Sequence, residues 1–206
     1  MVDLAPVKAR LEILASRDWN LPAIEARFER LAAQGITKKA GLEEEIDLQK
    51  EMILDRVQRR AEEYCYLTRN CAKGTVTALL EEFGLGNMAC IKALAPFPGL
   101  AMSGGLCGPV SGGLIALGLY FSSDNIADYQ DKRHYLAARQ FLERFQNIFG
   151  SLLCPDIQEI LLGKYYDPMA GAKNREDFDK AGARGKCPVA PGLGAKIAAE
   201  IIIESV

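Results

Sequence analysis

Six cysteines are the residues of this chain best suited to chemistry: Cys65, Cys71, Cys90, Cys107, Cys154 and Cys187. The N-terminal residues lack the basic and apolar regions of a signal peptide, so a disulfide framework is not expected. His134 is the one histidine, and a histidine-rich metal site is therefore not expected either. Thiols bind soft metals and undergo redox reactions, and these two chemistries are what the sequence favours.

Four of the cysteines share a position relative to a predicted helix. Asn70, a typical capping residue, directly precedes Cys71. A proline closely follows each of the others: Cys107-Gly108-Pro109, Cys154-Pro155 and Cys187-Pro188. Because proline favours the first helical turn, each cysteine is predicted at or just before a helix N-terminus. The free N–H groups there favour thiolate by about 1 kcal/mol or less, and four such thiolates could surround an iron–sulfur cluster.

Spacing alone does not identify these four cysteines as ligands. They lie far apart in the chain and form no CxxC motif, so a zinc ribbon or a ferredoxin motif is not expected. From the residues alone, burial as a small apolar side chain is an equally good interpretation for each. Cys65 is a reserve ligand if the chain breaks at Asn70, but core packing is preferred for it, as it is for Cys90.

Apolar residues recur at helical spacing along almost the whole chain, and no stretch alternates as a strand does. We therefore predict an all-α fold, a helical bundle with a glycine-rich loop and a helical N-terminal appendage. The predicted elements are an amphipathic stripe over residues 7–14 and helices over 21–34, 42–69, 71–83, 88–94, 109–121, 126–149, 155–162 and 188–206. Residues 163–185 are predicted to be a polar loop with one helical turn near 175–180.

The glycine-rich stretch, residues 98–113, surrounds Cys107. Glycines at this density let the backbone come close to another helix or to a bound group, and the sequence leaves both open. A phosphate-binding loop is not expected, because no Gly-Lys-Ser/Thr follows and no strand precedes.

Length and charge limit the organisation of the protein and its partners. The 206 residues suit one domain with an appendage, and we assign residues 1–61 to the N-terminal helical appendage and 62–206 to a cysteine-bearing redox domain. The net charge of -2 gives no attraction to nucleic acid or anionic membranes, and the longest apolar run, 106–121, is too short to span a bilayer. We expect a cytoplasmic protein, and its helices suit a homodimer.

Four segments resemble a known family: Asn70-Cys71-Ala72, the run Leu106-Cys107-Gly108-Pro109-Val110-Ser111-Gly112-Gly113-Leu114-Ile115-Ala116-Leu117-Gly118, Phe149-Gly150-Ser151 followed by Cys154, and Cys187-Pro188. Over residues 62–205 the chain is similar to the C_GCAxxG_C_C family of redox-active proteins. A related domain of split-Soret cytochrome c holds an iron–sulfur cluster, so the resemblance implies a helical domain with a cluster or a redox-active thiol site. Covalent haem is not expected, since no CxxCH is present. Pro109 stands where the family commonly has a small residue.

Three functions follow as hypotheses. In the first, which we favour, one iron–sulfur cluster, [2Fe-2S] or [4Fe-4S], is held by Cys71, Cys107, Cys154 and Cys187 and passes electrons to a redox partner protein. The second is a thiol–disulfide redox protein without metal. The third is a helical binding module in which the thiols hold a structural zinc. No catalytic residue is assigned, and whether the protein is an enzyme is left open.

Overall fold

The computed structural model describes residues 3–38, 42–125 and 127–205, with the side chains of residues 42–48 left aside. The described residues form helical segments without a strand: α1 (Ala5–Ala15), α2 (Leu21–Gln34), α3 (Leu42–Thr68), α4 (Cys71–Phe83), α5 (Met88–Ala93), α6 (Gly99–Met102), α7 (Gly108–Phe121), α8 (Arg133–Phe149), α9 (Cys154–Leu162), α10 (Ala172–Lys180), α11 (Ala183–Lys186) and α12 (Val189–Ile203). The prediction of an all-α fold is confirmed. No described helix has the length and apolar character needed to cross a bilayer.

The apolar core lies where α3, α4, α7 and α12 pack together, with α8 against α7. Glycines set the closest approaches between these helices. A Cβ on Gly74 would lie 2.7 Å from the Ala61 carbonyl oxygen, and a Cβ on Gly112 would lie 2.7 Å from the Ala72 carbonyl oxygen. Both distances are shorter than a real Cβ allows, so α4 packs against α3 and α7 at separations that require glycine.

A buried carboxylate joins the first helix to this core. Arg10 Nε and Nη2 each donate to Glu62 at 2.6 Å, and Arg17 Nη1 donates to Glu62 Oε2 at 2.7 Å. Glu62 is fully buried, and a Cβ on Gly192 would lie 2.3 Å from its Oε1. We call Arg10, Arg17 and Glu62 the Glu62 cluster. The division of the chain at residue 61 stays a prediction.

One long helix begins later than the sequence predicts. The helix expected over 126–149 begins at Arg133, because Asp128 and Asp131 accept backbone N–H bonds that compete with helix formation. Ile126 itself lies outside the described residues, as do the side chains of Leu42 and Ile46, which were part of the predicted α3 stripe.

The region 163–185 is more helical than predicted. Instead of one turn it contains α10 and α11. No residue of α10 is buried, so apolar periodicity gives no signal for it. Its contacts include a Lys180–Glu176 ion pair, a ring contact between Phe178 and Tyr166 with centroids 6.2 Å apart, and packing against α11.

Candidate functional site

Five of the six cysteines line a single cavity of about 120 Å³: Cys65, Cys71, Cys107, Cys154 and Cys187. The structure thus brings together all four residues of the predicted site, which come from distant parts of the chain, and adds Cys65. All five are free thiols. We call this space the thiol cavity. Cys90 is placed in another setting, with its sulfur 3.9 Å from Asn87 Oδ1.

Cys107 and Cys154 lie side by side because their segments pair through backbone hydrogen bonds. Leu106 and Leu153 form an isolated antiparallel bridge. The Cys107 N–H donates to the Leu152 carbonyl at 2.8 Å, and the Cys154 N–H donates to the Gly105 carbonyl at 2.9 Å. Cys107 is the N-cap of α7 and Cys154 is the first residue of α9. The bridge therefore aligns two helix N-termini and their thiols, which we call the paired thiols.

Cys71 is positioned by a sharp break between α3 and α4. Arg69 adopts a left-handed conformation with φ 51°, and Asn70 caps α4 by accepting the Lys73 N–H at 2.9 Å. The Cys71 sulfur then packs against Gly108, where a Cβ would lie only 2.2 Å from it. Position 108 therefore requires glycine, because any side chain there would overlap the thiol of Cys71, which reaches the cavity from α4.

Cys65 and Cys187 complete the wall formed by the helical core. Cys187 ends α11 and is followed by Pro188, the N-cap of α12. Cys65 lies on α3, 5% exposed, opposite Gly74, whose Cβ would lie 2.8 Å from the Cys65 Cβ. Cys65 lines the cavity together with Cys71 and Cys187. We call Cys65, Cys71 and Cys187 the clustered thiols.

The thiols differ in acidity. Hydrogen bonding from the Cys107 thiol and from Gln158 lowers the pKa of Cys154 to about 7. Hydrogen bonding of Cys107 to Cys154 and Cys71, together with burial, raises the pKa of Cys107. Burial is the main reason that the pKa values of Cys65 and Cys187 are raised. Cys154 therefore has a lower pKa than Cys65, Cys107 and Cys187.

Gln158 is a buried polar residue that contacts the site. Its Nε2 lies 3.5 Å from the Cys154 sulfur, and its Oε1 accepts the Tyr166 N–H at 3.0 Å. The second bond fixes the amide orientation, because the oxygen must face Tyr166 and the NH₂ group must then face Cys154. Gln158 stands four residues after Cys154, on the same face of α9. That spacing was the sequence signal for it, and our sequence analysis did not use it.

The cavity is bordered on one side by a left-handed turn. Four consecutive residues of α6 have positive φ values: 54° at Gly99, 46° at Leu100, 60° at Ala101 and 59° at Met102. Such a conformation costs non-glycine residues about 1–2 kcal/mol each. Met102 lines the cavity, and a Cβ on Gly99 would lie 3.4 Å from the Cys154 sulfur. The strained turn thus lies directly beside the paired thiols.

The donors and the space of the thiol cavity fit a small metal–sulfur group. Apart from the thiols, the lining includes apolar side chains such as Ile157, Leu161 and Phe178, with Arg69 and Arg184 also present. Thiolates in such surroundings need positive charge nearby, and bound metal supplies it. The volume approaches the ~150 Å³ of an apolar cavity that holds benzene. Among the described residues, no three His, Cys, Asp or Glu side chains are arranged to hold a single metal ion.

Comparison with known proteins places most of the chain in one family. The model of the family described as "Putative redox-active protein (C_GCAxxG_C_C)" matches residues 69–201. The matched segment contains Cys71, Cys107, Cys154 and Cys187, whereas Cys65 precedes it. No curated protein and no solved structure matches the chain.

Proposed function

The chain belongs to the C_GCAxxG_C_C family of redox-active proteins, and we propose that its redox group is an iron–sulfur cluster held by Cys71, Cys107, Cys154 and Cys187. The supporting observation is that these four thiols, each at the end of a different helix, line one cavity whose walls are largely apolar. Cysteine thiolates are the usual ligands of [2Fe-2S] and [4Fe-4S] clusters, and four of them complete either type.

The surroundings of the thiols suit electron transfer. A bound cluster would supply one-electron redox chemistry. Gln158 donates a hydrogen bond to the Cys154 sulfur, and the N-termini of α4, α7 and α9 direct N–H groups and a positive dipole toward this end of the bundle. These groups stabilise added negative charge, and the apolar walls limit access of water. With four protein ligands no coordination position is left for a substrate, which favours transfer to a partner protein over catalysis.

A second candidate is a thiol–disulfide redox protein, favoured by the pairing of Cys107 with the acidic thiol of Cys154. The Cys154 thiolate would attack a substrate disulfide, forming a mixed disulfide and releasing one substrate thiol. Cys107 would then lose its proton and attack the Cys154 sulfur, releasing the second substrate thiol. The protein ends with a Cys107–Cys154 disulfide, and two electrons have passed to the substrate.

The deciding experiment is an absorption spectrum with iron, acid-labile sulfide and zinc analysis on protein purified without oxygen. We expect a brown protein that bleaches with dithionite and contains iron and sulfide in similar amounts. The Cys107→Ser variant should lose its iron, whereas the matched control Cys90→Ser should keep it. A colourless protein, still free of iron after reconstitution, would contradict the proposal. A reversible disulfide would then support the second candidate, and bound zinc would indicate a structural metal.

A further inference from the structure

We propose that Cys65 is a fifth ligand thiol of this site, interchangeable with Cys71 and with Cys187 in holding the iron–sulfur group. The inference rests on the proposed function and extends it to a cysteine that lies outside the matched segment. The observation behind it is that the cavity is lined by five thiols where a cluster needs four.

The position of Cys65 is fixed by the tight packing of α3 against α4. Its Cβ would lie 2.8 Å from a Cβ on Gly74, and Gly74 lies one helical turn after Cys71 on α4. The break at Arg69 and Asn70 turns the chain back on itself between the two cysteines. Cys65 and Cys71 are therefore held on adjacent turns of two packed helices, and both line the cavity.

The backbone holds two of the five thiols as a pair, because the bridge between Leu106 and Leu153 aligns Cys107 with Cys154. The other three, Cys65, Cys71 and Cys187, reach the same cavity from α3, from the start of α4 and from the end of α11. The clustered thiols thus number three and the paired thiols two. A four-ligand site that uses both paired thiols needs only two of the clustered thiols, which leaves one in reserve.

Interchange within the clustered thiols makes a prediction that a four-cysteine site does not make. Each of Cys65→Ala, Cys71→Ala and Cys187→Ala should keep most of its iron after anaerobic reconstitution, because two clustered thiols remain. The double variants Cys65→Ala/Cys71→Ala and Cys65→Ala/Cys187→Ala should lose iron at least about tenfold, as should Cys107→Ala alone.

The measurements are iron and sulfide per chain, the visible spectrum, and the far-ultraviolet circular dichroism of each variant. Cys90→Ala is the matched control for loss of a thiol outside the cavity. A variant that loses its helical dichroism is replaced by the corresponding serine variant, which keeps a small polar side chain of similar size.

Two results would overturn the inference while leaving the proposed function intact. One is a wild-type protein with a full cluster whose Cys71→Ala and Cys187→Ala variants are as depleted of iron as Cys107→Ala. The other is depletion in Cys65→Ala alone, which would make Cys65 an obligatory ligand. A wild-type protein that takes up no iron and sulfide would instead refute the proposed function.

Discussion

The Glu62 cluster and the thiol cavity are two buried polar sites that share α3, and they differ in whether the buried acidic groups have charged partners. Glu62 and Cys65 stand three residues apart on α3, close to each other on its surface. The Glu62 carboxylate meets two arginines at 2.6–2.7 Å. The thiols of the cavity have mostly apolar neighbours, and burial raises the pKa values of Cys65 and Cys187. The Glu62 carboxylate is neutralised within the chain, whereas Cys65 and Cys187 favour the neutral thiol until positive charge is added.

The largest predicted effect is a loss of folding stability when the Glu62 cluster loses one of its arginines. Replacing Arg10 by Met leaves Glu62 with one arginine, and we expect unfolding to become easier by about 3 kcal/mol. Burial already raises the pKa of Glu62. A raised carboxyl pKa favours the neutral form in the folded state, so the folded protein is relatively more stable at low pH and loses stability as pH rises through that pKa. Urea unfolding should accordingly show a smaller loss at pH 4 than at pH 7, and equal losses would contradict this account.

Substitutions beside the thiol cavity should change the iron content of the protein more than its free energy of unfolding. In Gly108→Ala the new Cβ would lie 2.2 Å from the Cys71 sulfur and 2.6 Å from the Ala72 backbone nitrogen, so α4 and α7 must move apart and shift both Cys71 and Cys107, the residue before Gly108. Because Cys107 is one of the paired thiols, we expect iron per chain to fall about tenfold after reconstitution. Gly118→Ala, in the same helix and with open space at its Cβ, is the control. It should keep its iron and gain about 0.5–1 kcal/mol of unfolding free energy. Full iron occupancy in Gly108→Ala would show that the close contact of α4 with α7 is not needed to hold the group.

A smaller change should follow from removing the hydrogen bond of Gln158. Gln158→Leu loses the N–H donor to Cys154, and such donors favour the reduced, more negative cluster. We expect the reduction potential to fall by about 40 mV, since the bond contributes about 1 kcal/mol and 59 mV corresponds to a tenfold change for one electron. Potentiometric titration would measure the shift. Gln146→Leu, an exposed position, should leave the potential unchanged.

The same residue allows a pH test on metal-free protein. The wild-type pKa of about 7 for Cys154 predicts that its alkylation by iodoacetamide reaches half its maximal rate near pH 7. Gln158→Leu should move this midpoint upward, because the thiolate loses a donor. Mass spectrometry of the alkylated peptide gives the rate. An unchanged midpoint would mean that Gln158 does not stabilise the thiolate.

The smallest effect concerns the left-handed turn beside the cavity. Ala101 has φ 60° and its side chain is exposed, so Ala101→Gly relieves backbone strain without removing a buried contact. The relief of about 1–2 kcal/mol is partly offset by the greater entropy of glycine in the unfolded chain, about 0.5–1 kcal/mol. We expect a net gain near 0.5–1 kcal/mol in urea unfolding with unchanged iron content. A loss of stability would show that the turn is not strained.

The sequence predicted correctly the features that depend on neighbouring residues, such as the starts of helices. Asn70 capping α4 and the prolines after Cys107, Cys154 and Cys187 placed each thiol at or near a helix start, and the structure confirms those positions. Of the two suggested purposes of the glycine-rich stretch, close helix packing is confirmed at Gly112, and Gly108 makes room for the Cys71 thiol. Close approach to a bound group stays a prediction.

The rest depended on tertiary contacts that no local pattern encodes. Core packing was the preferred interpretation for Cys65, and the residue is buried in the core, but the approach of α3 to α4 at Gly74 also places it in the cavity wall. Nothing in the sequence Leu100-Ala101-Met102 indicates positive φ, because this backbone is imposed by its surroundings. The bridge between Leu106 and Leu153 joins segments distant in the chain and is too short to produce an alternating pattern.

Because the thiols of the cavity lie far apart in the sequence, they are synthesised at different times. Cys71 leaves the ribosome long before Cys187, and the last wall of the thiol cavity is provided only by the segment that joins α11 to α12. A growing chain therefore has no complete site until Cys187 has been synthesised. Under the proposed function, iron and sulfide can be bound by all of the ligands only after that point, and the bound group would tie together segments that are distant in the chain.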